Sequence, residues 1–193
     1  MKTKIIEAAI AEFTKNGLKF TMSDVAQNLG ISKKTIYTVF ESKQALMMGI
    51  ADKYAADFRT MQHEIETDSS LDTVEKITKI LIGLPSRYQN IGLREMYDFA
   101  DKYPKVYKRL MASVNDGWKL AESYIEQGIQ EQKIRPVSIP IVMAMVEGTV
   151  HKFLDSRILV DNGLSYEEGK EQMINVIING IRKQGYYGKC KNT

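Results

Sequence analysis

Apolar positions recur along this chain at three- and four-residue intervals, the spacing of one helix face. Ile6, Ala9, Ile10 and Phe13 form such a stripe in a helix from about Lys2 to Lys15, which Asn16-Gly17 closes. Met22, Val25, Ala26 and Leu29 form the next, and Thr21 or Ser23 supplies an N-cap hydroxyl for it. Gly30 stops that helix by entering the left-handed backbone region without a Cβ clash, and Ile31 plugs the turn. Ser32 caps a second short helix that turns Ile36 and Phe40 inward. Ser42 then caps a long helix to about Glu66, through Leu46, Ile50, Tyr54 and Phe58.

Further along, Thr67 to Ser70 is a polar break. A helix from about Leu71 to Leu84 follows, with Val74, Ile77, Ile80 and Leu81 on one side, and Pro85 ends it. Ser86 to Ala100 reads as a shorter helical region. Pro104 is placed as the first residue of a helix to about Lys133. After a linker, Arg135 to Pro140, come a helix from about Ile139 to Leu159, an Asp161-Asn162-Gly163 turn, and a last helix from about Tyr166 to Gln184. No alternating strand pattern, repeat or low-complexity tract interrupts the series, so the predicted class is all-α. The last two helices are apolar around more than one side. Each therefore has a second face to bury, either centrally in the core or against another subunit.

Charge adds an asymmetry. The net +3 of the 193 residues lies entirely in the first sixty, with nine Lys/Arg against six Asp/Glu; the remainder holds eighteen of each sign. An excess beside the helix-turn-helix segment suits a module that faces phosphates. No apolar run reaches the roughly 18 to 20 residues that span a bilayer. Glu7 and Glu12 lie within the first apolar pattern, so the N-terminus reads as an amphipathic helix and no signal peptide. The single cysteine, Cys190, excludes an internal disulfide. A cytoplasmic protein with no membrane segment is expected.

The candidate chemistry lies in Thr21 to Phe40. Lys33, Lys34, Thr35, Tyr37 and Thr38 crowd the first two turns of its second helix, setting two cations, two hydroxyls and a phenol on the outer face. A helix with that face can enter a DNA major groove and present its N-terminal residues to base edges. The plain alternative is a helical hairpin with a solvated basic face.

The text IIEAAIAEFTKNGLKFTMSDVAQNLGISKKTIYTVFESKQAL resembles the TetR family of bacterial transcriptional regulators. The matching features are Phe13 and Gly17 closing the first helix, Thr21 starting the next, the DVA…LGIS segment, a TIY-x-x-F recognition helix and an SK-x-x-L start to the fourth helix. One departure is Val39, where many members carry a His. The resemblance implies a three-helix DNA-binding domain at residues 1–46, with its helix-turn-helix at 21–40, and a helical ligand-binding and dimerisation domain at 47–193. It implies base contacts from Lys33, Lys34, Thr35 and Thr38, and phosphate contacts from Thr21, Tyr37 and Lys43. It also implies a homodimer through helices about 139–159 and 166–184, a double-stranded DNA operator, and a small-molecule inducer among the middle helices. Met96, Tyr97, Trp118, Met143 and Glu147 are the candidate pocket residues, being bulky or polar on those helices.

No catalytic constellation, cofactor motif or metal motif emerges: His63 and His151 lack the neighbours of HExxH, and there is no Gly-rich phosphate loop or GxSxG. Glu147 and His151, four apart, form either a surface pair or a polar spot for a ligand. The expectation is a non-enzymatic, ligand-responsive repressor released from a palindromic operator. The alternative is a DNA-binding regulator with no inducer, whose C-terminal domain recruits a protein partner.

Overall fold

The structure, a computed structural model, describes residues 1–85, 88 and 100–185. Among these the order is α1 Lys2–Asn16, α2 Met22–Leu29, α3 Lys33–Tyr37, α4 Lys43–Thr67, α5 Thr73–Ile82, α6 Pro104–Gln130, α7 Ile139–Asp155, α8 Ile158–Asp161 and α9 Tyr166–Ile181. A turn of 3-10 helix, Gly17–Lys19, joins α1 to α2. The class is all-α, as predicted. The described residues hold no strand, only an isolated antiparallel bridge between Ile134 and Arg182. No helix of the described residues is long and apolar enough to cross a membrane.

The chain forms two compact units: Met1–Arg59 with Leu84–Ser113, and Thr60–Gly83 with Val114–Thr193. In the first, Ile5, Ala9 and Phe13 of α1, Phe20, Val25 of α2, Ile36 of α3 and Leu46 and Met47 of α4 build one buried core. Each predicted inward stripe therefore closes on the others, and burial of apolar area is what holds these short helices in place. In the second, Val74 and Ile77 of α5, Ala121 and Ile125 of α6, Val146 of α7 and Ile174 and Ile178 of α9 build another.

Four helix boundaries differ from the periodicity reading, each for a local reason. Helix α5 starts at Thr73 and not Leu71, because Asp72 is its cap: its carboxylate accepts the Glu75 N–H at 2.9 Å, and Glu75 accepts the Asp72 N–H at 2.7 Å. Helix α6 stops at Gln130, short of Lys133. There Gln132 takes φ 57°, and the Lys133 and Ile134 N–H groups both return to the Gly128 carbonyl, at 2.9 and 3.0 Å. A Cβ on Gly128 would lie 2.7 Å from Ile134 Cγ1, so the glycine admits this fold-back.

The predicted helix 139–159 breaks after Asp155. Ser156 is extended, at φ −145° and ψ 166°, and its hydroxyl donates to the Lys152 carbonyl at 2.7 Å, competing with the helix ladder. The short α8 then carries the chain to Asp161. Helix α9 ends at Ile181 and not Gln184, because the backbone turns extended at Arg182. The Arg135 N–H donates to the Ile181 carbonyl and the Lys183 N–H to the Lys133 carbonyl, both at 2.9 Å. The helical region read between Ser86 and Ala100 lies, apart from Tyr88 and Ala100, outside the described residues.

Candidate nucleic-acid interface

The helix-turn-helix is built from its caps inward. Thr21 is the N-cap of α2; Ser23 is an exposed residue within the helix. The Thr21 hydroxyl accepts the Asp24 N–H at 3.2 Å, and the Asp24 carboxylate accepts the Thr21 N–H at 2.7 Å, a reciprocal box that fixes where the helix begins. Gly30 ends it in the left-handed region at φ 64° and ψ 31°. The Ile31 N–H returns to the Ala26 carbonyl at 3.0 Å, which sets the angle at which the next helix leaves.

Ser32 caps α3 by accepting the Thr35 N–H at 3.1 Å. The helix proper is five residues, shorter than the two full turns expected, and Thr38 forms its C-cap. Past that cap, the Thr38 N–H reaches the Lys34 carbonyl and the Val39 and Phe40 N–H groups reach the Ile36 carbonyl. Ile36 is fully enclosed and Phe40 is buried beside it. On the outer side Lys33 and Lys34 are exposed and have no ion-pair partner among the described residues, and Tyr37 is 43% exposed. The Lys33 ammonium lies 5.9 Å from the Tyr37 ring centre. The two threonines are engaged locally: Thr35 shares a hydrogen bond with the Ser32 hydroxyl at 2.8 Å, and Thr38 donates to the Thr35 carbonyl at 2.7 Å. Each hydroxyl still has acceptor capacity on its outer side.

Lys43, the first residue of α4, is turned inward. Its ammonium donates to the Leu18 carbonyl at 2.6 Å and to the Phe20 carbonyl, and lies 4.3 Å from the Phe20 ring centre. Burial lowers its pKa from the usual lysine value; Asp24 opposes that shift and Lys102 adds to it. One cation that sequence pattern left unnoticed is Lys2, whose ammonium lies 5.8 Å from the Phe40 ring centre, beside the end of the motif. Only tertiary packing brings those two residues together.

The six residues from Thr21 through Thr38 are thus gathered on one helix-turn-helix. The candidates of the second unit are not gathered in the same way. Met143 is buried in its core, Trp118 is half-buried against that core, and Glu147 is half-buried. His151 is exposed and makes no ion pair with Glu147 among the described residues. Met96 and Tyr97 lie outside the described residues. The described surface of this unit does show an apolar face: Ile141 and Met145 of α7 are 62% and 53% exposed, and Val176 of α9 is 73% exposed. Open hollows between α7 and α9 are lined by Met145, Phe153, Met173, Val176 and Ile177.

The sequence model described as "Bacterial regulatory proteins, tetR family" matches residues 5–48, the span from α1 into α4. The HTH-type transcriptional regulator YvaF of Bacillus subtilis (strain 168), itself uncharacterised, is 23% identical over 181 residues, covering 94% of this chain and 95% of its own. The nucleoid occlusion factor SlmA of Vibrio campbellii is 26% identical over 160 residues, 77% of this chain and 80% of its own. Among solved structures, a transcriptional regulator from Saccharomonospora viridis in complex with choline superposes with a TM-score of 0.71 at 17% identity, covering 95% of this chain and 98% of that one, and so shares the fold.

Proposed function

We propose that this chain, which belongs to the TetR family of DNA-binding bacterial transcriptional regulators, is a homodimeric repressor that a small molecule releases from a palindromic operator. The observation that carries this reading is the coincidence of the family match at residues 5–48 with a doubly capped helix-turn-helix whose outward cations have no ion-pair partner among the described residues. In this reading residues 1–46 hold the DNA and residues 47–193 hold the ligand and the second subunit. Lys33, Lys34, Thr35 and Thr38 meet base edges, where cations and hydroxyls find acceptor and donor patterns in the major groove. Thr21 and Tyr37 fix the register on phosphates, without reading sequence.

The apolar face of α7 and α9 supports the dimer. Ile141, Met145 and Val176 leave on the surface the kind of apolar patch that a second copy buries. A two-fold pairing there makes the contact self-complementary and sets two recognition helices on half-sites one helical turn apart. The protein works in the cytoplasm, where its DNA is. A ligand acts by binding the operator-incompetent dimer more tightly; a hundredfold preference shifts the equilibrium by about 2.7 kcal/mol.

The choline complex of the Saccharomonospora viridis regulator supports a ligand-bearing second unit. The likeness to a nucleoid occlusion factor favours a second reading, in which that unit docks a protein partner and no inducer exists. A screen of metabolites for compounds that both raise the melting temperature and dissociate the protein from its duplex separates the two. Compounds that do both establish the repressor reading. A library that shifts nothing, with duplex binding intact, favours the partner reading.

A further inference from the structure

Lys43 stands where the chain returns from α3 into α4, and the carbonyls it holds stand where the chain leaves α1 for α2. One side chain therefore joins the residue just before the motif to the first helix after it. The joint is firm on its far side. The Phe20 ring is 1% exposed and packs edge-on against Phe13 of α1, with ring centres 6.4 Å apart, so its carbonyl belongs to backbone anchored in the core. Thr21, the cap that fixes the start of α2, is the very next residue.

An ammonium has three N–H donors. Lys43 uses two of them on the Leu18 and Phe20 carbonyls, in charge-assisted bonds that are roughly twice as strong as neutral ones. It also stacks over the Phe20 ring at 4.3 Å. Turning outward to a phosphate would give up both bonds and leave two carbonyls at a half-buried site without a donor. We infer that Lys43 is the pin of the helix-turn-helix, a positioning residue that fixes the bearing of α3 by closing the motif at its neck, and that it does not hold a phosphate. The role differs from the phosphate contact that family resemblance implies, and it rests on the DNA-reading function proposed above. The transmission is short: the neck sets α2, and the Gly30–Ile31 turn sets α3 on α2. Without the pin α3 meets the groove over a spread of bearings, which costs discrimination between sequences more than it costs charge.

The test uses the full chain with Lys43→Met, which keeps the stem and removes the ammonium, and Lys43→Arg, which keeps the charge and the donors. Two duplexes serve as probes: one enriched by the wild-type protein from a random pool, and one of mixed sequence. Lys43→Met should lower the affinity ratio between the two duplexes about tenfold, or about 1.4 kcal/mol. The slope of log affinity against log salt on the mixed duplex should move by less than about 0.3. Amide exchange in Thr21–Ala26 should quicken about tenfold, while amides of α5 and α9 stay unchanged. Lys43→Arg should restore the ratio in large part. A slope reduced by about one unit with an unchanged ratio and unchanged exchange means a phosphate contact and overturns the inference.

Should Lys43→Met fail to fold, the wild-type protein decides the point. The Lys43 ammonium nitrogen signal should stay in place when duplex is added, and a signal that moves and couples to phosphorus overturns the pin. A wild-type protein that enriches no duplex instead refutes the function on which the inference rests, a failure visible without any variant.

Discussion

At Thr21 one side chain does two things. Its hydroxyl closes a reciprocal box with Asp24, at 3.2 and 2.7 Å, and it stands at the edge of the surface that faces DNA. Thr21→Ala should cost about 1 kcal/mol of stability in urea unfolding, the usual value of a lost N-cap. An unchanged unfolding midpoint would show that the box contributes nothing. Lys34 has a different kind of role. It is exposed, has no ion-pair partner among the described residues and lies one residue inside the Ser32 cap. Lys34→Ala should change which bases are preferred at one position of each half-site, at about 1 to 3 kcal/mol of discrimination. A binding-site profile identical to wild type would remove it from the base-reading set. These residues were legible in the sequence because their partners lie within three or four positions. Lys43 was legible only as a cation at a helix start: the carbonyls it holds are 25 and 23 residues away, and no local pattern points to them.

The same rule governs the elements. Helices α1 to α4 follow their stripes because cap, apolar period and glycine stop agree. The predicted helix 139–159 broke at Ser156, whose hydroxyl bonds to Lys152, since an apolar period carries no trace of a side chain that competes with the backbone. The end of α6 at Gln130 was equally hidden, because it depends on a side-chain latch. There Lys133, Thr73 and Gln127 all donate to the Glu131 carboxylate and hold its pKa at about 2, below the ordinary carboxylate value, with the Lys133 bond as the largest cause. The Lys133 ion pair measures 2.6 Å and the Gln127 bond 2.6 Å. A carboxyl whose pKa is lowered by folding stabilises the fold above its unfolded pKa of 4.5, and that contribution is lost as pH falls from there towards about 2. Acid titration of urea stability should therefore be shallower in Glu131→Gln than in wild type across that window. Coincident pH profiles would show that the latch is not coupled to folding.

At the scale of the whole molecule, the all-α class and the helix-turn-helix were readable because both are written in local periods. The surplus apolar faces of the last two helices were readable too, as Ile141, Met145 and Val176 confirm by their exposure. The pocket was not readable: Trp118, Met143 and Glu147 were chosen by size and polarity, which the core uses as freely as a ligand site does. Val176→Glu, a charge on a side chain 73% exposed in the subunit, should leave the fold intact and convert the dimer to monomers of 22.0 kDa by light scattering. A variant that remains dimeric would move the subunit interface away from α9.

The regulator itself is tested most directly by selecting binding sites from random duplex at physiological salt while recording the mass of the protein–DNA complex. An inverted repeat with half-sites about 10 base pairs apart, carrying two copies of the chain, is the expected result. Weak, salt-sensitive binding by a single copy, with no sequence enriched, would contradict a dimeric operator-reading repressor and leave the basic face of α3 as a solvated surface.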